Sequence, residues 1–80
     1  MKYRIIYKIV STEKEMRYEE KLAARMFDGV SSEYSLESGA YCVYIGGEFD
    51  TEEDCRKKIA EIKTHKPNVN IFLQNKERWK

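Results

Sequence analysis

Tyr41-Cys42-Val43-Tyr44-Ile45-Gly46-Gly47, followed by Thr51-Glu52-Glu53-Asp54, is the stretch whose reading decides the fold. Tyr41, Val43 and Ile45 alternate with Cys42 and Tyr44, the two-residue period of a strand. Thr51 with an acid three positions on is the start signal of a helix. The same order occurs earlier, in Tyr3-Arg4-Ile5-Ile6-Tyr7 and then Thr12-Glu13-Lys14-Glu15. Each half enters a charged amphipathic helix, meets a breaker and ends in a short apolar run. The chain therefore reads as a β-α-β unit written twice.

Working outward, the first strand is expected over Lys2–Val10 and the first helix from Thr12 to about Asp28. Met16, Leu22, Ala23, Met26 and Phe27 form the helix's apolar stripe, and Gly29 suits the left-handed position that ends helices. A weaker strand spans Ser31–Ser38, and Gly39 turns the chain into the strand Ala40–Ile45. Gly46-Gly47 closes that strand with a bulge or turn needing positive φ. The second helix runs from Thr51 to about Lys66 on a stripe of Cys55, Ile59 and Ile62, and Pro67 stops it. Val69–Leu73 is the last strand. The expectation is one domain over residues 1–74, with 75–80 as a polar tail carrying Trp79.

The order β-α-β-β-α-β is that of the ferredoxin-like α+β sandwich, a four-stranded antiparallel sheet with both helices on one face. Strand order 4-1-3-2 would place Tyr3, Ile5, Tyr7, Ile9, Tyr41, Val43, Ile45, Val69, Ile71 and Leu73 under the helices. Arg4, Ile6, Lys8, Cys42, Tyr44, Asn70, Phe72 and Gln74 would share the other face. An antiparallel sheet can leave one face in water, and a wet face is normally polar. Ile6, Tyr44 and Phe72 together, bordered by Arg4 and Lys8, make a candidate binding surface with Asn70 beside them. They could equally cover one another or pack under Trp79. The edge strand carrying Tyr34 and Leu36 offers a second contact, by strand addition of a partner or of a second copy.

Composition narrows the function. Charged residues are 36% of an 80-residue chain, but the net charge is only +1. That balance lacks the basic footprint of a duplex DNA binder. Two cysteines on differently oriented elements, with no CxxC and no His or Asp cluster, predict reduced thiols and no metal. No apolar run reaches the ~20 residues of a membrane span. With Met1-Lys2-Tyr3-Arg4 entering a strand directly, the expected compartment is the cytoplasm.

The catalytic inventory is thin. His65 is the sole histidine, and a helix C-terminus favours its charge without any chemistry. Neither Cys42 nor Cys55 has a base that sequence places beside it. Gly46-Gly47 lacks the spacing and lysine of a phosphate loop. The acids Glu13, Glu15, Glu19, Glu20, Glu52, Glu53 and Asp54 lie mainly in first helical turns, where they complement the dipole. The expectation is a binding protein with no cofactor and no catalysis.

Three occupants suit the candidate face. Tyr41-Cys42-Val43-Tyr44-Ile45-Gly46, then Phe49, then Cys55-Arg56-Lys57-Lys58-Ile59-Ala60-Glu61-Ile62, resembles the second half of a SPOR domain. That bacterial family has the same duplicated plan, with an aromatic-x-Val-x-Val-Gly repeat, a Phe and a helix. The first half, Tyr3-Arg4-Ile5-Ile6-Tyr7, lacks the glycine, and Cys55 falls where Ala is usual. The resemblance implies binding of peptidoglycan glycan through the sheet face, nearest to Arg4, Ile6, Tyr44 and Phe72. Ser38-Gly39-Ala40-Tyr41-Cys42-Val43-Tyr44 is loosely similar to the third strand of the RNA-recognition motif, which implies single-stranded RNA. In style, the chain also resembles small accessory proteins of bacteria and bacteriophages that dock on one protein and alter its activity. Aromatic and Arg anchors on a flat face suit such protein recognition. A protein partner is the leading expectation.

Overall fold

The structure is a computed structural model in which residues 3–36 and 38–75 are described. Element order is β1 (Tyr3–Val10), α1 (Glu13–Met26), β2 (Ser31–Ser35), β3 (Ala40–Phe49), α2 (Glu52–His65) and β4 (Phe72–Asn75). The strands form one antiparallel sheet in the order β2-β3-β1-β4. This is the expected α+β arrangement, consistent with a ferredoxin-like fold, with β1 and β3 central.

Both helices begin as the sequence predicts. The hydroxyl oxygens of Thr12 and Thr51 accept from the amides of Glu15 at 3.2 Å and Asp54 at 3.1 Å, satisfying amide donors that a helix start leaves free. Acids fill the first turns, and Arg25, Lys63 and His65 stand in the last ones, matching the helix dipoles. Ala23 from α1, and Cys55 and Ile62 from α2, pack on Tyr3, Ile5, Val43, Ile45 and Ile71. Met16, Phe27 and Ile59 join this core from the edges, while Met26 is exposed. Ile5, Val43 and Ile45 are all 0% exposed, and each such burial contributes about 1.5–3 kcal/mol.

Several boundaries differ from expectation, each for a local reason. β3 does not close at Gly46-Gly47 but continues to Phe49. In the pairing of β1 with β3, Ile5 faces Ile45 while Arg4 faces Glu48, so Gly46 and Gly47 bulge out of the ladder. Their amides donate to Asp28 and Gly29 carbonyls at 2.8 and 3.1 Å, so the α1–β2 connection supplies acceptors outside the ladder. Both bulge glycines have positive φ, 78° and 76°, as expected for this pair. Gly29 has φ 65° but does not end α1 in the expected way. Phe27 is the extended C-cap, and Gly29 instead lets the backbone approach the bulge.

β2 stops at Ser35, so Leu36 belongs to the turn into β3 rather than to the edge strand. The turn closes with the Gly39 amide on the Ser35 carbonyl at 2.9 Å. β4 starts at Phe72 instead of Val69 and reaches Asn75, one residue into the expected tail. Lys2, Glu37 and residues 76–80, Trp79 among them, lie outside the described residues.

A second bulge matters more for function. Ile6 pairs with Tyr44 but Lys8 pairs with Val43, leaving Tyr7 as the extra residue of β1. One inserted residue reverses the alternation beyond it. Ile9 therefore stands opposite Cys42 and is 49% exposed, not under the helices as the unbroken alternation predicts, and Lys8, expected on the face away from the helices, stands opposite Val43 of the helix-side core. Tyr7 keeps its place on the core side, edge-on to Phe27 at 5.8 Å between ring centres.

Candidate functional site

The face turned away from the helices divides into a closed part and an open part. In the closed part, Ile6, Cys42 and Tyr44 form their own cluster, 3%, 3% and 1% exposed. The Arg4 guanidinium carbon lies 3.8 Å from the centre of the Tyr44 ring, an arrangement that the ring's negative face stabilises. From the edge strand, the Glu33 carboxylate takes an ion pair from Arg4 and a 3.0 Å hydrogen bond from the Tyr44 hydroxyl. Arg4 and Gln74, neighbours across β1 and β4, are buried as well. Among the described residues, Arg4 Nε and Gln74 Oε1 have no hydrogen-bond partner. Burial pushes the Tyr44 phenol well above the usual tyrosine range, outweighing the downward pull of Arg4, while Cys42 and Glu33 add to the rise.

The expectation that Arg4, Ile6 and Tyr44 stand exposed on this face is corrected here. Their position on the face is as read from the sequence. Their exposure is not, because the cluster, the cation over the ring and the carboxylate reaching from β2 pack together as a second core. Sequence alternation assigns a face but carries no signal for a side chain that folds down across its neighbour.

The open part lies at the far end of β1, in a groove lined from both sides of the strand. Lys8, Asn70 and Phe72, three of the residues singled out from sequence, line one groove of about 350 Å3 with Tyr7, Ile9, Asn68 and Val69. Phe72 is 46% exposed and Ile9 49%. Ile9 was missed because the Tyr7 bulge that turns it outward has no glycine or other marker in the sequence. The six sequence-predicted binding residues are thus split into buried Arg4, Ile6 and Tyr44 and groove-lining Lys8, Asn70 and Phe72.

At the edge, Tyr34 is 48% exposed and packs edge-on to Tyr41 at 4.9 Å, and Leu36 in the adjoining turn is 88% exposed. A separate cleft of about 430 Å3 opens between the C-terminal ends of α1 and α2, lined in part by Phe27, Asp28, Lys58, Glu61, Ile62 and His65. Lys58 and Glu61, one turn apart on α2, pair at 3.4 Å along one wall of it.

The two thiols are free and buried on opposite sides of the sheet, Cys55 in the helix-side core and Cys42 in the second cluster. Burial raises the Cys55 thiol above its ordinary value, with Arg56 opposing and Glu52 adding to the rise, the reverse of what a thiolate nucleophile requires. Among the described residues, no three His, Cys, Asp or Glu side chains gather to hold a metal ion. Nor is any described helix long and apolar enough to cross a membrane. Comparison with family models, with curated proteins and with solved structures returned no significant match.

Proposed function

We propose that this chain is a non-catalytic cytoplasmic binding module that docks on a protein partner, as an adaptor or inhibitor. Its contact surface is the groove where Lys8, Asn70 and Phe72 meet Ile9, with Tyr34 and Leu36 as a second contact at the edge. The observation that carries this reading is the pair of half-exposed apolar side chains, Ile9 and Phe72, lining one groove beside a lysine. Apolar anchors flanked by a polar rim are the usual anatomy of protein recognition.

Glycan and single-stranded RNA draw less support. The positions nearest a SPOR-type contact include Arg4, Ile6 and Tyr44, which are buried. An RNA sheet needs exposed aromatic plates for successive bases, and on this face Phe72 is half exposed while Tyr44 is covered.

The test is capture from lysate with the wild-type chain and with the Lys8→Glu, Phe72→Ala double variant, each with and without nuclease. A single protein held by wild type, lost by the variant and indifferent to nuclease is the expected outcome. Capture of sacculi or of nuclease-sensitive material in its place would transfer the assignment to glycan or RNA.

A further inference from the structure

The groove is a gap in the sheet itself. β1 and β4 pair from Tyr3–Asn75 to Ile6–Phe72 and then part. Continued in register, Tyr7, Lys8 and Ile9 would meet Ile71, Asn70 and Val69. Among the described residues, the pairing of β1 with β4 goes no further, and residues 68–71 belong to no strand. Two local features hold the strands apart. The Tyr7 bulge bends β1, as bulges do where pairing ends. On the other side, a turn through Pro67 and Asn68, closed by the Val69 amide on the Lys66 carbonyl at 3.1 Å, stands in place of a continued strand. β1 still pairs with β3 as far as Val10–Tyr41, so its other edge keeps strand geometry with no strand beside it among the described residues.

An unpaired strand edge inside a groove is a template for another strand. The lining gives that strand a chemistry. Ile9 and Phe72 flank the gap with apolar surface, Asn68 and Asn70 supply side-chain amides, and Lys8 is the one charged residue lining it among the described residues.

We propose that the fork between β1 and β4 takes up an extended segment of the protein partner, which pairs with the backbone of Lys8–Val10. That segment presents a carboxylate to Lys8 and apolar, β-branched side chains to Ile9 and Phe72. This rests on the protein-partner reading above and adds to it the mode of binding and the chemistry of the bound segment.

The experiment selects binders to the full-length chain from a random-peptide display library and maps the enriched peptides, made synthetically, by amide NMR. Enriched sequences should alternate β-branched apolar residues with Asp or Glu. They should shift the amides of residues 8–10 and 68–70 and slow the hydrogen exchange of those in the fork, which exchange freely in the unbound chain. N-methylation at alternate peptide positions should abolish binding, and Lys8→Glu, at an exposed site that leaves the fold intact, should weaken it about tenfold. The proposal is overturned if no peptide class is enriched, if the shifts map elsewhere, or if N-methylation has no effect. It is equally overturned if the fork amides are protected in the free chain, or become so only with rising protein concentration, which would make a second copy the occupant. A partner captured from lysate and lost with the double variant, but with no strand-like peptide in the fork, would leave the protein-partner reading standing and remove this one.

Discussion

At the residue scale, the decisive group is Tyr44. Its hydroxyl donates to Glu33 while its ring lies under Arg4, so one side chain serves as apolar core and polar anchor together. The native state holds the phenolic proton of Tyr44, and that of Tyr7, above the ordinary value of 10.0, and the Cys55 thiol proton above 9.0. The unfolded chain releases these protons at the ordinary values, so above them it binds fewer protons than the native state. Stability therefore falls as pH rises past those values. Tyr44→Phe should cost about 1 kcal/mol at neutral pH through the lost hydrogen bond, and its alkaline decline should be shallower than that of wild type. Urea midpoints measured across the alkaline range check both parts, and parallel declines would contradict the assignment.

At the scale of elements, the junction between the α1–β2 connection and the β3 bulge is the tightest point. A Cβ on Gly29 would lie 2.6 Å from the Gly47 nitrogen and 2.9 Å from the Gly46 carbonyl carbon, backbone atoms that cannot swing aside. Gly39 has nearly the same φ, 66°, but nothing within 4 Å of such a Cβ. Gly39→Ala should thus cost only the conformational strain of about 1–2 kcal/mol. Gly29→Ala carries the same strain plus the clash and should cost at least about 2 kcal/mol more. Denaturant unfolding of the two variants side by side isolates the clash. Equal losses would mean that the junction opens without penalty. The glycine pair was legible from its sequence as a bulge or turn of positive φ, though not as a bulge inside a continuing strand. That Gly29 would be its partner was not, because the two segments meet only through tertiary packing.

At the scale of the whole molecule, the sheet carries a core on each side. The helices cover one, and the Ile6–Cys42–Tyr44 cluster with Arg4 above it makes the other. Tyr44→Ala should therefore destabilise by about 3–5 kcal/mol, as an aromatic deletion in a packed interior does. Phe72→Ala, on the same face at the open groove, should cost about 1 kcal/mol or less. Thermal unfolding of both variants reads the division directly. Similar small losses would return Tyr44 to the exposed surface that alternation alone suggested.

Element order, helix starts and most of the helix-side core, Ile9 and Met26 excepted, were determined by the sequence itself through local signals, and the strand order followed from the element order. Tyr41, Val43 and Ile45 alternate without interruption, Thr12 and Thr51 cap whatever helix follows them, and Pro67 stops α2 wherever it packs. The exposure of the candidate surface was decided only in the tertiary structure. The Tyr7 bulge exists only in the register of β1 on β3, and it turns Ile9 outward at the point where β1 and β4 cease to pair. Burial of Arg4 and Tyr44 depends on Glu33, which reaches them from a strand that is remote in sequence until the hairpin brings β2 beside β3. A period of two residues can say which side of a sheet a residue occupies; what lies above it there is settled by contacts between distant segments.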